Sequence, residues 1–497
     1  MLRFLPLLLL IIWLLGAIWL SLKRLPPGLH IVGAWQTLPA NAPRFLRDLS
    51  AADANGAPLV EQQIDAELSG MVSRARQFII LDTGLFGDLP AAGPHASRLR
   101  TALPIAAGLV DTLLRAKSQH PDLAILILTD PSTLQMGSVQ QLLERTEISG
   151  VEVLAVDVAR LRAPDPVFRS FWNLCCRWWS RASSSAEWPN PLEVGPPGVS
   201  MQLWGELRAY QRSHRQVLIA DDGAAGLDAL VFSRPLHAEA GIHSATALKL
   251  SGAALEPLIE SEFVLAQFSG WSDGGAMQAR AQRLLEPQRR PVLTGGGDAA
   301  RARVLTEGAI GTALVARIDA AGRGDQVEIA AMFLSQRELV RALLDAARRG
   351  VKVRLLLDPD KDGYGYDHSG LPNRQVASEL ISTSDGSIRV RWYRTHGERF
   401  SPGFALIQNA TRAWLMVGTS TLSRLDLGDF NLAAAAVVDV PPNAPAAADA
   451  LGWFDALWYN RASTGTEYSS DADVYADASQ LRYWQYRLFE AMGTSFD

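Results

Sequence analysis

One run of this 497-residue chain gathers the side chains best suited to chemistry: Ser213, His214, Arg215, Gln216, the apolar stretch Val217, Leu218, Ile219 and Ala220, then Asp221. His214 and Gln216 stand two apart, so on an extended segment both side chains point to one face. The apolar stretch seats that segment in a core. A neutral imidazole is nucleophilic near pH 7, which makes His214 the first candidate for covalent or acid–base work, with Asp221 as the carboxylate seven residues on. Other groups carry less. His237 and His243 could join His214 around a metal, but their spacing matches no ligand pattern, and loop histidines bonded to backbone account for them. Asp82, Asp130 and Asp358 end apolar strands, where ligands bind in α/β sheets and where carboxylates also cap turns. Gly295, Gly296 and Gly297 are not followed by Lys and Ser or Thr, so they read as linker and not as a phosphate-cradling loop.

The elements that must hold these residues are legible as alternating helices and buried strands. Residues 77–82, 123–129 and 151–158 are apolar runs of strand length, and 109–117 has helical periodicity between the first two. The order repeats farther on: strand 327–334, helix 338–348, strand 351–357, then Asp358-Pro359, as Asp130-Pro131 closes the earlier unit. Alternation of this kind predicts an α/β fold with each sheet covered by helices, and its repetition predicts two similar halves. The expected division is an anchor at 1–25, a first half at 26–286 with a Pro, Gly and Ser-rich insertion near 180–200, a linker at 287–300 and a second half at 301–497.

Composition bounds the rest. Hydrophobic residues make up 48% and charged residues 20%, the balance of a globular chain and not of a disordered one. Forty-seven basic residues against 52 acidic ones leave a net charge of -5, so no overall positive field exists to hold a nucleic-acid backbone. The two cysteines, Cys175 and Cys176, are adjacent, and no disulfide framework is expected from them. Phe4 to Leu22 is free of charge and is followed by Lys23, Arg24, Pro26 and Pro27. At ~1.5 Å per residue that length matches a bilayer core, and the flank suits a retained single-pass anchor better than a cleaved signal. Both ends of the segment are basic, which leaves the membrane face of the globular part open. Phe168, Phe171, Trp172, Trp178 and Trp179 with Arg169 and Arg177 form an aromatic and basic stretch that suits either a lipid interface or a buried amphipathic helix.

The spacing His214, Gln216, Asp221 resembles the H-x-K-x4-D motif of the phospholipase D superfamily, with glutamine in the lysine slot. Further on, Asp358 to Asp362, Pro372-Asn373-Arg374 and Trp392 to Glu398 are similar to a bacterial membrane-anchored branch that includes cardiolipin synthase relatives. The resemblance covers most of the chain after the anchor. It implies a second motif after Phe400, where Ser401, Gly403 and Gln408 occupy the His, Lys and Asp positions. It also implies phosphate-binding roles for Ser233, Thr419 and Thr421, while Arg234-Pro235 sits near an expected Asn and Ala433 stands where an acidic residue is usual. In the family one histidine attacks phosphorus, the other protonates the leaving alcohol, and the lysines neutralise phosphate oxygens.

Here His214 and Asp221 remain from the first motif, the second is degenerate, and both lysines are absent. The expectation is a catalytically impaired or inactive member that binds phospholipid or another phosphodiester at a membrane, or serves a protein partner there. The alternative is an active phosphodiesterase or phosphatidyltransferase with His214 as nucleophile and His396, five residues before Ser401, as a substitute acid. The family's histidine chemistry implies no cofactor, the resemblance implies a bacterial inner membrane, and nucleic acid is disfavoured as a partner.

Overall fold

The structure is a computed structural model that describes residues 4–52, 58–87, 105–134, 144–147, 149–180, 186–191, 198–224, 226–237, 243–272, 274–289, 299–363, 366–461 and 466–492. The expected linker falls largely outside them. Helix α1 (Leu5–Leu22) is long and apolar enough to cross a membrane, and most of its side chains are exposed.

Two large sheets form the centre. The first contains β2 (Arg44–Ala52), β3 (Pro58–Gln62), β4 (Phe78–Thr83), β5 (Ala124–Thr129), β6 (Glu152–Ala155), β7 (Gln216–Asp221), β8 (Leu227–Phe232) and β9 (Ala245–Ser251), in the order β3-β2-β9-β8-β7-β4-β5-β6. The second contains β1 (Gln36–Leu38), β10 (Ala300–Thr306), β11 (Gln326–Ala331), β12 (Lys352–Leu357), β13 (Ile388–Tyr393), β14 (Phe404–Gln408), β15 (Ala413–Gly418), β16 (Ala434–Val440) and β17 (Ser469–Asp471), in the order β1-β10-β16-β15-β14-β11-β12-β13-β17.

From β2 to β6 and from β10 to β13 the two orders run in step. β4 pairs parallel with β5 and antiparallel with β7, just as β11 pairs parallel with β12 and antiparallel with β14. The expected elements are present: 77–82 is β4, 123–129 is β5, 109–117 lies within helix α3 (Ile105–Gln119), and 338–348 lies within α7 (Arg337–Arg348). One stretch departs from the expected division. Residues 31–38 run along the second sheet, with β1 paired to β10, before the chain enters the first.

Strand period decides how the layers meet. In β4, Phe78 and Ile80 join a core shared with Phe404, Leu406, Leu415 and Val417 of the second sheet, whereas Ile79 and Leu81 face outward under α2 (Gln63–Arg74) and α3. The far face of the second sheet is covered by α7 and the helices on either side of it. Both sheets are therefore buried on both faces, which is why their strands read as continuous apolar runs in the sequence. Full burial of each Leu, Ile, Val or Phe in these layers contributes roughly 1.5–3 kcal/mol. The adjacent Cys175 and Cys176 are joined to each other, where sequence separation argued for no bridge.

Candidate functional site

The two sheets exchange main-chain contacts at the start of their central strands. Asp130, just past β5, accepts the Ser213 N–H at 2.9 Å, and the His214 N–H donates across to the Leu432 carbonyl at 2.8 Å. The second sheet repeats the device: Asp358 accepts the Phe400 N–H at 2.7 Å, and the Ser401 N–H donates to the Ser244 carbonyl at 3.0 Å. His214 and Ser401 thus hold equivalent places, and Asp130 and Asp358 act as main-chain anchors there. Both residues line one cavity of about 170 Å³ between the sheets, together with Gln216, Ser233, Gly403, Thr419 and Thr421.

Asp426, in the short helix Arg424–Leu427, supplies what the sequence reading missed. Its Oδ1 lies 3.0 Å from His214 Nδ1, and its Oδ2 accepts from the Thr421 N–H at 2.7 Å and the Thr421 hydroxyl at 2.8 Å. Asn431 Nδ2 adds a bond to Oδ1 at 3.0 Å. Burial by itself would raise the Asp426 carboxyl, but the His214 ring charge and the bonds from His214, Asn431 and Thr421 outweigh it and hold the group below the ordinary carboxylate range. An ionised carboxylate at Nδ1 keeps the proton of a neutral ring on that nitrogen and makes Nε2 the nucleophilic one; it equally favours the protonated ring, whose N–H groups bind anions. A sequence signal for this partner existed. With Ala433 in the usual acidic slot, the acids just upstream, Asp426 and Asp429, were the ones to weigh, and Asp429 is taken by His30 at 2.9 Å.

Neither lysine slot offers a cation. The Gln216 side chain accepts from the Thr83 hydroxyl at 2.9 Å. At Gly403 the backbone meets Gly418 so closely that a Cβ would lie 1.8 Å from the Gly418 carbonyl oxygen, and the Gly418 N–H donates to the Gly403 carbonyl at 2.8 Å. Any side chain there displaces the strand. Ser401 Oγ is shielded and makes no hydrogen bond among the described residues. Ser233 Oγ accepts the Thr246 N–H and Thr419 Oγ1 the Ala434 N–H, each at 3.0 Å, so these hydroxyls fasten neighbouring strands while lining the cavity.

Several candidates stand elsewhere. Asp221 is at the far end of β7, where it accepts the N–H groups of Arg76, Gln77 and Phe78 at 2.8–3.1 Å and that of Gly223 at 3.2 Å. Gln408 occupies the matching end of β14 and reaches Gln326 at 3.4 Å. His396 does not line the cavity; its N–H donates to Glu398 at 2.8 Å in a turn. His243 is buried outside the cavity lining, and the His237 side chain lies outside the described residues. Tyr210 and Arg212, which the sequence reading did not weigh, line the cavity, and Arg212 donates to the Leu207 and Gln211 carbonyls.

Between His214 and Gln216, the Arg215 side chain points the other way into the core. It binds Glu262 at 2.9 Å, Glu307 at 2.8 Å and the Ser261 hydroxyl at 2.8 Å, all without exposure, and Asp82 completes the cluster. One guanidinium cannot neutralise three carboxylates. Burial and the neighbouring Glu262 push Asp82 well above its ordinary range, and burial raises Glu307 to about 7 despite Arg215.

The model of the family described as cardiolipin synthase, phospholipase D-like domain, matches residues 314–458, the stretch that holds Ser401, Gly403, Thr419 and Thr421. The structure of phosphatidylserine synthase from Haemophilus influenzae Rd KW20 superposes with a TM-score of 0.54 at 10% identity, covering 92% of this chain and 94% of that one. The family match thus covers residues 314–458, and the superposition shows that the chain as a whole shares the fold of that synthase. Polyphosphate kinase from Porphyromonas gingivalis is similar at a TM-score of 0.42 and 11% identity, over 93% of this chain and 57% of that chain. The phospholipase D family member Nuc from Salmonella typhimurium is similar at 0.26 and 15% identity, over 34% and 97%. No curated protein sequence matches the chain. The two sheets anchor their main chain alike through Asp130 and Asp358, while Gln216, Gly403 and Ser401 stand at the positions that line the cavity beside His214.

Proposed function

We propose that this phospholipase D-like chain binds a phospholipid headgroup or related phosphodiester at a membrane without turning it over. It is organised as an anchor at 1–25 and halves at 26–286 and 301–497, with residues 31–38 of the first crossing to the sheet of the second, that place His214 and Ser401 across one cavity. The observation that carries the reading is the asymmetry of that cavity: His214 is backed by Asp426, while the equivalent place holds Ser401 and the lysine slots hold Gln216 and Gly403. A protonated His214 supports an anion through its ring N–H, and the hydroxyls of Ser233 and Thr419, each accepting a main-chain N–H, keep a proton to donate, whereas that of Thr421 is given to Asp426. Asp221 keeps the strand in place from its far end. Turnover lacks two things. Removing a positioned general acid costs ~10²- to 10⁴-fold in rate, and removing one donor to the developing charge costs roughly 3 kcal/mol of barrier. The phosphatidylserine synthase likeness and the cardiolipin synthase family match support phospholipid as the ligand class.

One observation favours a second reading. The His214–Asp426 pair is what an attacking imidazole needs, so phosphodiester hydrolysis or phosphatidyl transfer started by His214 is the competing function. Full-length protein in liposomes of phosphatidylglycerol, with and without His214→Ala, decides. The expected result is headgroup binding that depends on His214 and no release of product or phosphohistidine above background. Product formation that disappears with His214→Ala would overturn the binding-only reading.

A further inference from the structure

Helix α4 (Pro166–Cys175) lies along α1. The Trp13 indole donates to the Val167 carbonyl at 2.9 Å, and the Ser170 hydroxyl donates to the Trp13 carbonyl at 2.7 Å. Gly16 leaves room for Ser170, and the Trp13 and Phe171 rings meet edge to face at 6.4 Å. Near the other end of α1 the contacts are with residues preceding α4: Arg162 Nε donates to the Ser21 carbonyl, and Lys23 donates to the Arg160 carbonyl. The chain therefore descends beside α1 from Lys23 to the level of Trp13. That is about nine residues of helix, or ~14 Å, close to half the thickness of a bilayer core.

The inner side of α4 is satisfied within the protein. Trp172 is buried against Trp204 and Phe168, and the buried Arg169 binds Glu206 at 2.6 Å. Its outer side is not covered. Val167, Phe171, Leu174 and, in the following turn Arg177–Ser180, Trp178 are 37–71% exposed. Their spacing of four, three and four is a single helical stripe, with no acidic residue between 166 and 186. The stripe meets the exposed apolar side of α1 where Phe171 touches Trp13, and basic groups edge it near the top of α1: Lys23, with Arg160 and Arg177 in loose pairs with Asp157 at 4.0 Å and Glu206 at 3.7 Å. Apolar below and cationic above is the pattern that matches acyl chains and anionic headgroups.

We propose that α4 and the turn after it enter the same leaflet as the upper half of α1, so that the protein docks on the bilayer through a two-helix wedge and not through α1 alone. One connection makes this relevant to the cavity: Arg208 lies over the Phe168 ring at 5.3 Å and the Tyr210 ring at 4.7 Å, and Tyr210 lines the cavity. The wedge thus holds the cavity wall beside the lipid. The proposal rests on α1 entering a bilayer, and does not depend on what the cavity binds.

The test uses full-length protein in phosphatidylglycerol and phosphatidylcholine liposomes containing lipids brominated at defined acyl depths. Tryptophan quenching of wild type is compared with Trp178→Phe/Trp179→Phe, which removes two indoles and keeps the apolar surface, and with Trp13→Phe. The expected result is a loss of at least a third of the quenchable emission at shallow bromine positions in the double variant. Quenching that is unchanged in the double variant yet falls in Trp13→Phe would overturn the wedge while leaving the α1 anchor intact. A Trp178 signal shielded from bromolipid in a dimeric particle would also overturn it, because a second copy of the chain would then be the cover.

Discussion

The segments 213–221 and 400–408 share one backbone and differ in nearly every functional side chain. Each begins with an N–H held by an aspartate just past the strand one removed in the sheet, β5 or β12, and a second N–H given to the opposite half. After that the first carries His214 in contact with Asp426, Arg215 in a buried charge cluster, and Asp221 gathering four N–H groups; the second carries Ser401, Pro402 and Gln408 in those places. The difference teaches that the frame is specified by main-chain pairing and apolar packing. One frame therefore holds two different sets of side chains at equivalent positions.

The largest asymmetry is at the far ends of the two strands. An aspartate that accepts four N–H groups is hard to replace, because each buried donor left without a partner costs about 1–3 kcal/mol. Asp221→Ala is expected to lower the unfolding free energy by about 4 kcal/mol, and Gln408→Ala by less than about 1 kcal/mol, in chemical denaturation of the detergent-solubilised protein. Equal losses at the two sites would break the comparison at its root.

Next in size are the lysine slots. Gly403→Lys must drive a Cβ into the Gly418 carbonyl, and overpacking of this kind costs about 3 kcal/mol. Gln216→Lys replaces a side chain that already lines the cavity and loses one bond to Thr83, for about 1 kcal/mol. If the first variant proves as stable as the second in thermal unfolding, the second slot is open and restoring the motif becomes a realistic experiment.

Much of this frame was legible from residue order. Apolar runs buried on both faces announce themselves without a partner, so β4, β5, β11 and β12 and the helix between each pair could be read directly, and the Phe400 register placed Ser401 opposite His214. Asp221 was read as part of the chemistry because spacing says how far apart two residues are along a strand and not that the strand carries them to opposite ends. Asp426 escaped for the converse reason. It comes from the other half, more than two hundred residues away, and only the packing of the sheets brings it to His214.

A smaller effect concerns ligand and not fold. His214→Ala removes the ring that faces the cavity and should weaken binding of glycerophosphate headgroup to the liposome-bound protein at least tenfold, near 1.4 kcal/mol. Asp426→Asn keeps the shape, withdraws the carboxylate charge behind the ring, and should weaken binding several-fold. Ser401→Ala should change it less than twofold. Titration calorimetry with all three ranks the two copies directly, and a Ser401 effect as large as that of His214 would make the cavity symmetric after all.

A pH-dependent effect separates Arg215 from Pro402, its counterpart. Glu307 binds Arg215 yet is so buried that its carboxyl is raised to about 7 from an ordinary 4.5, so the folded state favours the protonated form more than the unfolded chain does. A raised carboxyl contributes stability that is complete below pH 4.5 and is lost as pH climbs through 7. Asp358 near 7, Glu328 near 7 and Asp48 near 6, all raised chiefly by burial, add slopes of the same sign, so the wild-type curve alone does not isolate the cluster. The difference curve does. Between pH 4.5 and 7 the unfolding free energy of Glu307→Gln should fall by about 1–2 kcal/mol less than that of wild type, since glutamine carries no proton to lose. Parallel curves would mean that Glu307 stays ionised beside Arg215 throughout. The surplus charge of the first copy would then be discharged at Asp82, which burial and Glu262 hold well above its ordinary range.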